Sequence, residues 1–248
     1  ADIYFVASRW AHPEKVDCAF RISGKQPELW NPVTGEIRDA IAFIQNDDRT
    51  FVPLKFDPCG SIFVVFNKSI PKDVSGKTAS NYPVVQQTNT LSGSWTVNFD
   101  PKWGGPAKVI FDQLIDWTNS SNPGIKYYSG AAIYHKKFDL PTSIQPGRRV
   151  LLDLGEVHEI AVVHLNGRDL GVLWTKPARV DITSAVKPKD NDLEIKIVNL
   201  WPNRLIRDES LPKGQRLTET NIHKFAPTSP LLPSGLIGPV NVLEVSIP

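Results

Sequence analysis

The chain has 248 residues, of which 28 are Lys or Arg and 26 are Asp or Glu, giving a formal net charge of +2 at pH 7. Because charges of both signs are scattered and form no basic stripe, nucleic acid is not a predicted partner. No stretch approaches the roughly 20 apolar residues of a membrane-spanning helix. The 21 Pro and 16 Gly predict frequent turns, as in an all-β protein of one or two domains.

Residues 1–88 are predicted to form an accessory β-sandwich domain that ends in a linker. The linker is Ile70–Asn89, a polar segment that contains Pro, Gly and Ser and interrupts the rhythm of the strands. Thr34-Gly35 has the composition of a turn. The predicted strands are short apolar runs, and they are Ile3–Val6, Val16–Arg21, Glu28–Trp30, Ile37–Ile44, Thr50–Leu54 and Ser61–Asn67.

Residues 89–248 are predicted to form a second antiparallel β-sandwich. Apolar and polar residues alternate in Leu193–Val198, which is the pattern of a half-buried strand. Asn166-Gly167 lies between the apolar run Ile160–Leu165 and the strand Asp169–Trp174, and this dipeptide supplies the positive φ that a two-residue hairpin turn requires. No long amphipathic helix is predicted anywhere in the chain.

The order of these signals resembles the jelly-roll sugar-binding domain of family 2 glycoside hydrolases. The shared features are a Leu-Asp-Leu-Gly strand, the Asn-Gly hairpin, a Trp, an Asp-Ile-Thr turn and the closing Ser234-Gly235-Leu236-Ile237. Upstream, PELWNPVTGEIRDA (27–40), LSGSWTVNF (91–99) and Trp103-Gly104-Gly105-Pro106 look like the C-terminal part of the α-L-rhamnosidases of glycoside hydrolase family 106. The resemblance implies two β-sandwich domains, the second a galactose-binding-like jelly roll.

The same resemblance places the catalytic acid and base in a large domain that would precede Ala1. Within this chain the carboxylate pairs closest in sequence are Glu156 with Glu159 and Asp208 with Glu209. Glycosidases need two carboxyl groups roughly 5–10 Å apart on either side of the scissile bond. Both pairs are expected to face water instead, so no catalytic residue is predicted and the chain alone is expected to be inactive.

Metal sites are also not predicted. His158 and His164 flank an apolar, β-branched run, which indicates a strand and not the helix of a zinc protease. Jelly rolls of this type often carry calcium, and Asp190-Asn191-Asp192 offers oxygen ligands, but far fewer than the 6–8 that calcium takes. The expected cofactor is therefore none, with calcium as the less favoured alternative.

Carbohydrate binding is the better-supported function. Sugars stack on aromatic rings while neighbouring polar groups bind their hydroxyls. The predicted carbohydrate-binding residues are Trp201, Asn203, Arg204, Trp174 and His223. The alternative interpretation is that these residues only pack in the protein. Four other tryptophans are predicted to be core residues, namely Trp10, Trp30, Trp95 and Trp117.

The long segment Leu200–Gly238 is the most suggestive region for function, and its loop Trp201–Gly235 is expected to carry any ligand contact. It joins two strands by nearly forty residues, and structureless loops longer than about 15 residues are usually functional or disordered. We therefore expect Ala substitution of Trp201 and Arg204 to weaken substrate use by the parent enzyme while the sandwich stays folded. The alternative is that the segment only packs on the sandwich.

Two cysteines, Cys18 and Cys59, leave open one disulfide or two separate thiols. The function predicted from the sequence is that of a noncatalytic accessory region of an α-L-rhamnosidase-like glycoside hydrolase. Its expected partners are a plant or microbial glycan and the preceding catalytic domain, in an exported parent protein whose targeting signal is absent here. A stand-alone carbohydrate-binding or purely structural module is the alternative.

Overall fold

A computed structural model describes residues 1–140 and 147–246; residues 141–146, 247 and 248, which belong to the predicted second domain, lie outside the described residues. The chain divides into two compact units. Unit 1 comprises Ala1–Val84 with Ser246, and unit 2 comprises Val85–Val245. The fold is all-β, with two β-sandwiches of antiparallel strands.

Unit 1 contains seven strands in two sheets. They are β1 Asp2–Ala7, β2 Glu14–Phe20, β3 Lys25–Trp30, β4 Ile37–Asp39, β5 Ile44–Asn46, β6 Arg49–Phe56 and β7 Ser61–Ser69. The strand orders are β1-β7-β3-β4 and β2-β6-β5. The core lies between the sheets and includes Leu29 and Phe66 from the first and Val52 and Leu54 from the second.

The predicted strand Ile37–Ile44 is wrong, because the chain there forms two strands in different sheets. Between β4 and β5 the chain crosses from one sheet to the other, and Ala40, Ala42 and Phe43 turn into the interior on the way. The apolar residues in the middle of the predicted strand therefore form a largely buried crossing between the two sheets.

The segment predicted as a linker is held to unit 1 by a buried amide. Asn81 is fully buried; its Nδ2 donates to the carbonyls of Ala42 (2.8 Å) and Pro53 (3.1 Å), and its Oδ1 accepts from the Ala42 amide (2.7 Å). Immediately afterwards, Val85–Thr90 forms the first strand of unit 2. Residues 81–90 are thus structured, which the Pro, Gly and Ser content did not indicate.

The described residues of unit 2 form a jelly-roll sandwich of twelve strands. They are β8 Val85–Thr90, β9 Trp95–Phe99, β10 Val109–Phe111, β11 Ala131–Phe138, β12 Arg148–Asp153, β13 Glu156–His158, β14 Ile160–Leu165, β15 Arg168–Leu173, β16 Arg179–Asp181, β17 Asn191–Val198, β18 Gly235–Gly238 and β19 Asn241–Ser246. Their sheets have the orders β10-β9-β11-β17-β14-β15, β16-β12-β19-β8 and β13-β18.

The core of unit 2 is rich in aromatic side chains. Trp95, Trp117, Tyr128 and Tyr134 are all at most 1% exposed, and the Trp117 indole Nε1 donates to the Tyr134 hydroxyl at 2.6 Å. The prediction that Trp95 and Trp117 are core residues is confirmed. Trp30, in unit 1, is half-buried. The prediction is wrong for Trp10, which is 59% exposed and whose apolar neighbours in sequence do not enter the core.

The Asn-Gly turn and the alternating strand are confirmed. Asn166 and Gly167 have φ of 54° and 78° and connect β14 to β15, whose residues Leu165 and Arg168 pair directly. In β17 the side chains of Leu193, Ile195 and Ile197 are buried, and those between them are exposed or half-buried.

The helices of the described residues are short. They are α1 Pro123–Lys126 and α2 Pro202–Glu209, together with 3-10 helices at Pro101–Trp103, Trp117–Asn119 and Lys213–Gln215. Among the described residues, none of these helices has the length and apolar character needed to cross a bilayer. Cys18 and Cys59 are free thiols.

Candidate carbohydrate-binding site

The predicted ligand segment begins at one end of the six-stranded sheet of unit 2. Val198, the last residue of β17, pairs with Ala131 on one side and with Ile160 on the other. Four residues later the chain enters α2. We call residues 199–218, with the loops that they contact, the α2 corner.

Helix α2 replaces the start of the predicted loop. Pro202 occupies the first turn, where its missing N–H and fixed φ suit a helix start. Asn203, Arg204, Ile206 and Asp208 are buried, so one face of the helix packs on the sandwich. Proline at the first position, followed by Arg and Asp four residues apart, is the signal that could have predicted this helix.

A buried ion pair fixes the inner face of α2. Arg204 and Asp208 are 4% and 3% exposed, and Arg204 Nη1 lies 3.7 Å from Asp208 Oδ1. Arg204 Nη2 donates to the Trp103 carbonyl at 2.9 Å. Asp208 Oδ2 accepts from the Thr218 amide (2.8 Å), the Thr218 hydroxyl (2.6 Å) and the Leu217 amide (3.2 Å). The pair thus joins α2 to two separate loops.

Burial changes the electrostatics of this pair. Loss of solvent lowers the pKa of the Arg204 guanidinium below its usual value, and the adjacent Asp208 carboxylate offsets only part of that shift. Within the described part of the chain, Arg204 Nε and Asp208 Oδ1 have no hydrogen-bond partner. The expectation that Asp208 faces water is therefore wrong, since the helix turns this carboxylate inward.

Asn203 is bonded in the same internal manner. Its Nδ2 donates to the Leu232 carbonyl at 2.7 Å and to the Ser234 hydroxyl at 3.1 Å, while its Oδ1 accepts from the Leu232 amide at 2.8 Å. Asn199 Nδ2 also donates to Ser234 Oγ, at 3.1 Å. The Asn203 amide thus holds α2 against the segment before β18, and neither this amide nor the Arg204 guanidinium faces the outer surface.

The outer surface of the α2 corner carries an aromatic pair instead. Trp201 is 46% exposed, and its ring meets the half-buried ring of Trp103 edge to face, with centroids 5.1 Å apart. Trp103 belongs to the Trp-Gly-Gly-Pro motif noted in the sequence, and the structure brings this segment against α2. An exposed tryptophan held by a second ring is a surface on which the apolar face of a pyranose can stack.

His223 lies at the other end of α2. Its Nδ1 is 2.7 Å from Glu209 Oε1, and Arg216 Nη1 approaches the same oxygen at 3.8 Å. Because Glu209 ends the helix and Trp201 precedes it, the two groups are separated by the length of eight residues, about 12 Å. Arg207, between them, places its guanidinium over the Tyr127 ring at 5.3 Å. The sequence reasoning missed two contacts here, that of Glu209 with Arg216 and that of Arg207 with Tyr127.

Trp174 lies at the same end of the sheet but on another strand. It follows β15, where Leu173 pairs with Ala161, which in turn pairs with Ile197 of β17. One strand therefore separates Trp174 from the α2 corner, or about 10 Å across two strand spacings. Its ring is 65% exposed. The five predicted residues thus occupy one end of the sandwich but do not converge on one pocket.

The remaining carboxylate pair flanks a histidine on β13. Glu156 Oε1 is 2.9 Å from His158 Nε2, and Glu159 Oε1 is 3.5 Å from His158 Nδ1. Both carboxylates are exposed, as predicted. In the described residues no group of three or more His, Cys, Asp or Glu is arranged to hold a metal ion. The Asn191 amide of the proposed calcium run is buried and bonded to backbone.

Comparison with known proteins supports the resemblance seen in the sequence. Residues 1–44 match the family model for α-L-rhamnosidase, and residues 107–228 match the galactose-binding-domain-like model of glycosyl hydrolase family 2. A rhamnosidase from Novosphingobium sp. PP1Y superposes on 98% of this chain with a TM-score of 0.88 and 37% identity. The chain is thus similar to part of an α-L-rhamnosidase, and its second unit is similar to a galactose-binding-like domain.

The chain corresponds to only a small part of its relatives. It covers 22% of the Novosphingobium rhamnosidase. A Formosa agariphila protein named "Putative beta-glucuronidase" is 41% identical over 69% of this chain, which covers 17% of that protein. Helix α2 and all five predicted carbohydrate-binding residues fall within the segment matched by the galactose-binding-like family model. The segment matched by the α-L-rhamnosidase family model, in contrast, lies wholly in unit 1.

Proposed function

We propose that this chain is a noncatalytic accessory region of an α-L-rhamnosidase-like glycoside hydrolase, where it supports glycan binding and the architecture of a catalytic domain. The observation that carries the proposal is the match to the Novosphingobium rhamnosidase, which extends over 98% of this chain but only 22% of that one. A region that is similar throughout to part of a larger glycosidase is suited to an accessory role.

The absence of independent activity is the most direct consequence. Asp208 is paired with Arg204 in the interior, and Glu156 and Glu159 both lie against the His158 imidazole. A glycosidase needs two carboxyl groups placed on either side of the scissile bond. The purified chain is therefore expected to hydrolyse neither an aryl α-L-rhamnoside nor an aryl β-D-glucuronide.

Both substrates belong in this test because the two relatives carry different activities in their names. Turnover of either one that Glu156→Gln abolishes, while the variant keeps the wild-type melting temperature, would overturn the noncatalytic assignment. Turnover that survives in the variant indicates a contaminating enzyme, and a repeat after further purification then decides.

Glycan binding is proposed to occur on the exposed rings at the end of the six-stranded sheet. Trp201 and Trp174 are the exposed aromatic side chains there, and His223 and Glu209 supply polar groups at the far end of α2. Titration calorimetry of the chain with a rhamnose-containing oligosaccharide tests this. Trp201→Ala and Trp174→Ala should each weaken binding severalfold, since one stacking contact contributes about 0.5–1.5 kcal/mol.

Trp10 provides a matched control, because it is 59% exposed but belongs to unit 1. If Trp10→Ala weakens binding as much as Trp201→Ala, the site is not at the α2 corner. If no variant changes binding, or the chain binds no glycan, the alternative of a purely structural module is favoured. Strong binding by the chain without any catalytic partner favours a stand-alone carbohydrate-binding module.

The remaining proposals concern surroundings and cofactors. The parent protein is proposed to be exported and to contain the catalytic domain that this region supports. No cofactor is proposed, and a calcium titration that raises the melting temperature of the chain by several degrees would contradict this.

A further inference from the structure

The four-stranded sheet of unit 1 has an apolar face turned away from its own core. Residues paired directly across antiparallel strands share a face. The register therefore aligns Phe5, Phe63, Trp30 and Ile37 in one row across β1, β7, β3 and β4. The alternate residues Tyr4, Leu29 and Val64 contribute to the core of unit 1, so this row points outward.

The row is apolar and open to solvent at both edges. Phe5 is 60% exposed and packs its ring on Phe63 at 5.0 Å, and Ile37 is 56% exposed. Ile3, in the next row on the same face, is 61% exposed. We call Ile3, Phe5, Phe63, Trp30 and Ile37 the outer face. Contiguous exposed apolar side chains of this kind are a mark of an interaction surface.

The chemistry of the outer face suits a protein partner better than a sugar. The indole Nε1 of Trp30 is buried, so this residue exposes no ring N–H to a ligand. The charged side chains of the second row, Glu28 and Asp39, are both paired with Lys68, at 2.8 Å and 2.9 Å. A sugar needs free polar groups beside the rings, whereas an apolar patch with paired charges at its border is the usual composition of a protein interface.

The comparisons indicate which protein. Strands β1, β3 and β4, which supply four of the five residues of the outer face, lie within the 1–44 segment matched by the α-L-rhamnosidase model. The rhamnosidase that superposes on this chain has most of its length elsewhere, since this chain covers 22% of it. We propose that the outer face docks against another folded domain of the same glycoside hydrolase polypeptide. This proposal rests on the accessory function proposed above.

A chimera tests the proposal. This chain is placed in the Novosphingobium rhamnosidase in exchange for the aligned region, and Ile3→Glu with Ile37→Glu is introduced both there and in the 248-residue chain alone. Thermal unfolding should show a loss of roughly 5 °C or more, or a split into two transitions, in the chimera. In the isolated chain, where both side chains are already exposed, the change should stay within about 2 °C.

Ile44→Glu is the matched control, because Ile44 is 62% exposed in the other sheet of unit 1. Equal effects of the double variant and of the control in the chimera would overturn the proposal. So would an isolated chain that forms a dimer which the double variant dissociates, since the occupant would then be a second copy.

A second measurement holds even if the chimera fails to fold. In the solved Novosphingobium structure, the side chains aligned with Ile3 and Ile37 should be covered by the remainder of that polypeptide, and full exposure there would reject the docking. The glycan-binding and hydrolysis assays use none of these side chains. A result against the docking surface therefore does not contradict the proposed accessory function. Negative results in the glycan-binding and hydrolysis assays likewise do not affect the docking test.

Discussion

The two ends of the six-stranded sheet in unit 2 are closed by different chemistry. At the α2 corner a buried ion pair, Arg204–Asp208, joins the loops. At the opposite end, which we call the amide end, the side chains of Asn166 and Asn191 do so, with Asn166 Nδ2 donating to Asn191 Oδ1 at 3.0 Å. Both arrangements tie one sandwich together, but they differ in charge and in how fully their atoms are bonded.

The amide end is saturated. Asn191 Oδ1 also accepts from the Lys187 amide, and its Nδ2 donates to the carbonyls of Lys187 and Phe138. Asn166 binds the Ala185 carbonyl and the Asp192 amide. A neutral network of this kind fixes turns without desolvating a charge. The α2 corner, in contrast, desolvates two charges and exposes a tryptophan, so its fold is more sensitive to the loss of one partner.

The largest expected effect is that of Asp208→Ala. Removing one partner leaves the Arg204 guanidinium buried and unpaired, which costs about 3–5 kcal/mol of the free energy of unfolding. Urea unfolding of the chain, monitored by tryptophan fluorescence, measures it. The double change Arg204→Met with Asp208→Leu should lose much less, because no charge then remains buried. Equal losses in both variants would show that packing, and not charge, holds the corner.

The same reasoning revises the expectation for Arg204→Ala. The sequence suggested a surface guanidinium whose loss leaves the sandwich folded. Since Arg204 is 4% exposed, its removal strands Asp208 and should destabilise the fold. Only Trp201→Ala, at an exposed ring, remains suitable for separating glycan binding from stability.

At the amide end, Asn191→Ala is expected to cost about 2–4 kcal/mol, because several backbone groups lose their partners in a buried site. Asp192→Ala is the control; its side chain is exposed, and its change should stay within about 0.5 kcal/mol. If Asn191→Ala is as mild as the control, the amide network is not what closes this end, and the comparison of the two ends fails.

The hairpin tip allows a smaller and purely conformational test. A Cβ at Gly167 would meet nothing within 4 Å, but the φ there is 78°. Gly167→Val should therefore cost about 1–3 kcal/mol through backbone strain alone. Gly214→Val is the control, because Gly214 also has open space and has no positive φ. Similar melting temperatures for the two variants would show that the turn relaxes.

These two ends also show what the sequence could predict. The hairpin is a local feature; Asn-Gly between two strand patterns determines its own φ values, and the structure confirms it. The orientation of Asn203 and Arg204 is not local, because it depends on Leu232, Ser234 and Trp103, which are distant in sequence. Residue type and a long polar segment suggested ligand contact. Helix α2, which turns those groups inward, was overlooked.

The smallest expected effect is that of changing a partly exposed carboxylate, Asp181, and it is to be compared with the effect of changing the buried carboxylate of Asp208. Asp181, which precedes the loop whose Ala185 carbonyl accepts from Asn166, is 39% exposed in its side chain. Partial burial raises the pKa of Asp181, but hydrogen bonds from Thr183 (2.9 and 2.6 Å) and Arg149 (2.8 Å) outweigh this and hold the pKa below its usual value near 3.8.

Because the pKa of Asp181 is lower in the folded than in the unfolded chain, the carboxylate stabilises the fold above pH 3.8. That stabilisation is lost as the pH falls through the folded value. Asp181→Asn should thus cost about 1 kcal/mol near neutral pH, since Asn still accepts from Thr183, and the difference from wild type should shrink in acid. Melting temperatures of both proteins between neutral pH and pH 3 measure this. If the difference in melting temperature between the variant and wild type stays constant over that range, the charge of the Asp181 carboxylate contributes nothing to stability.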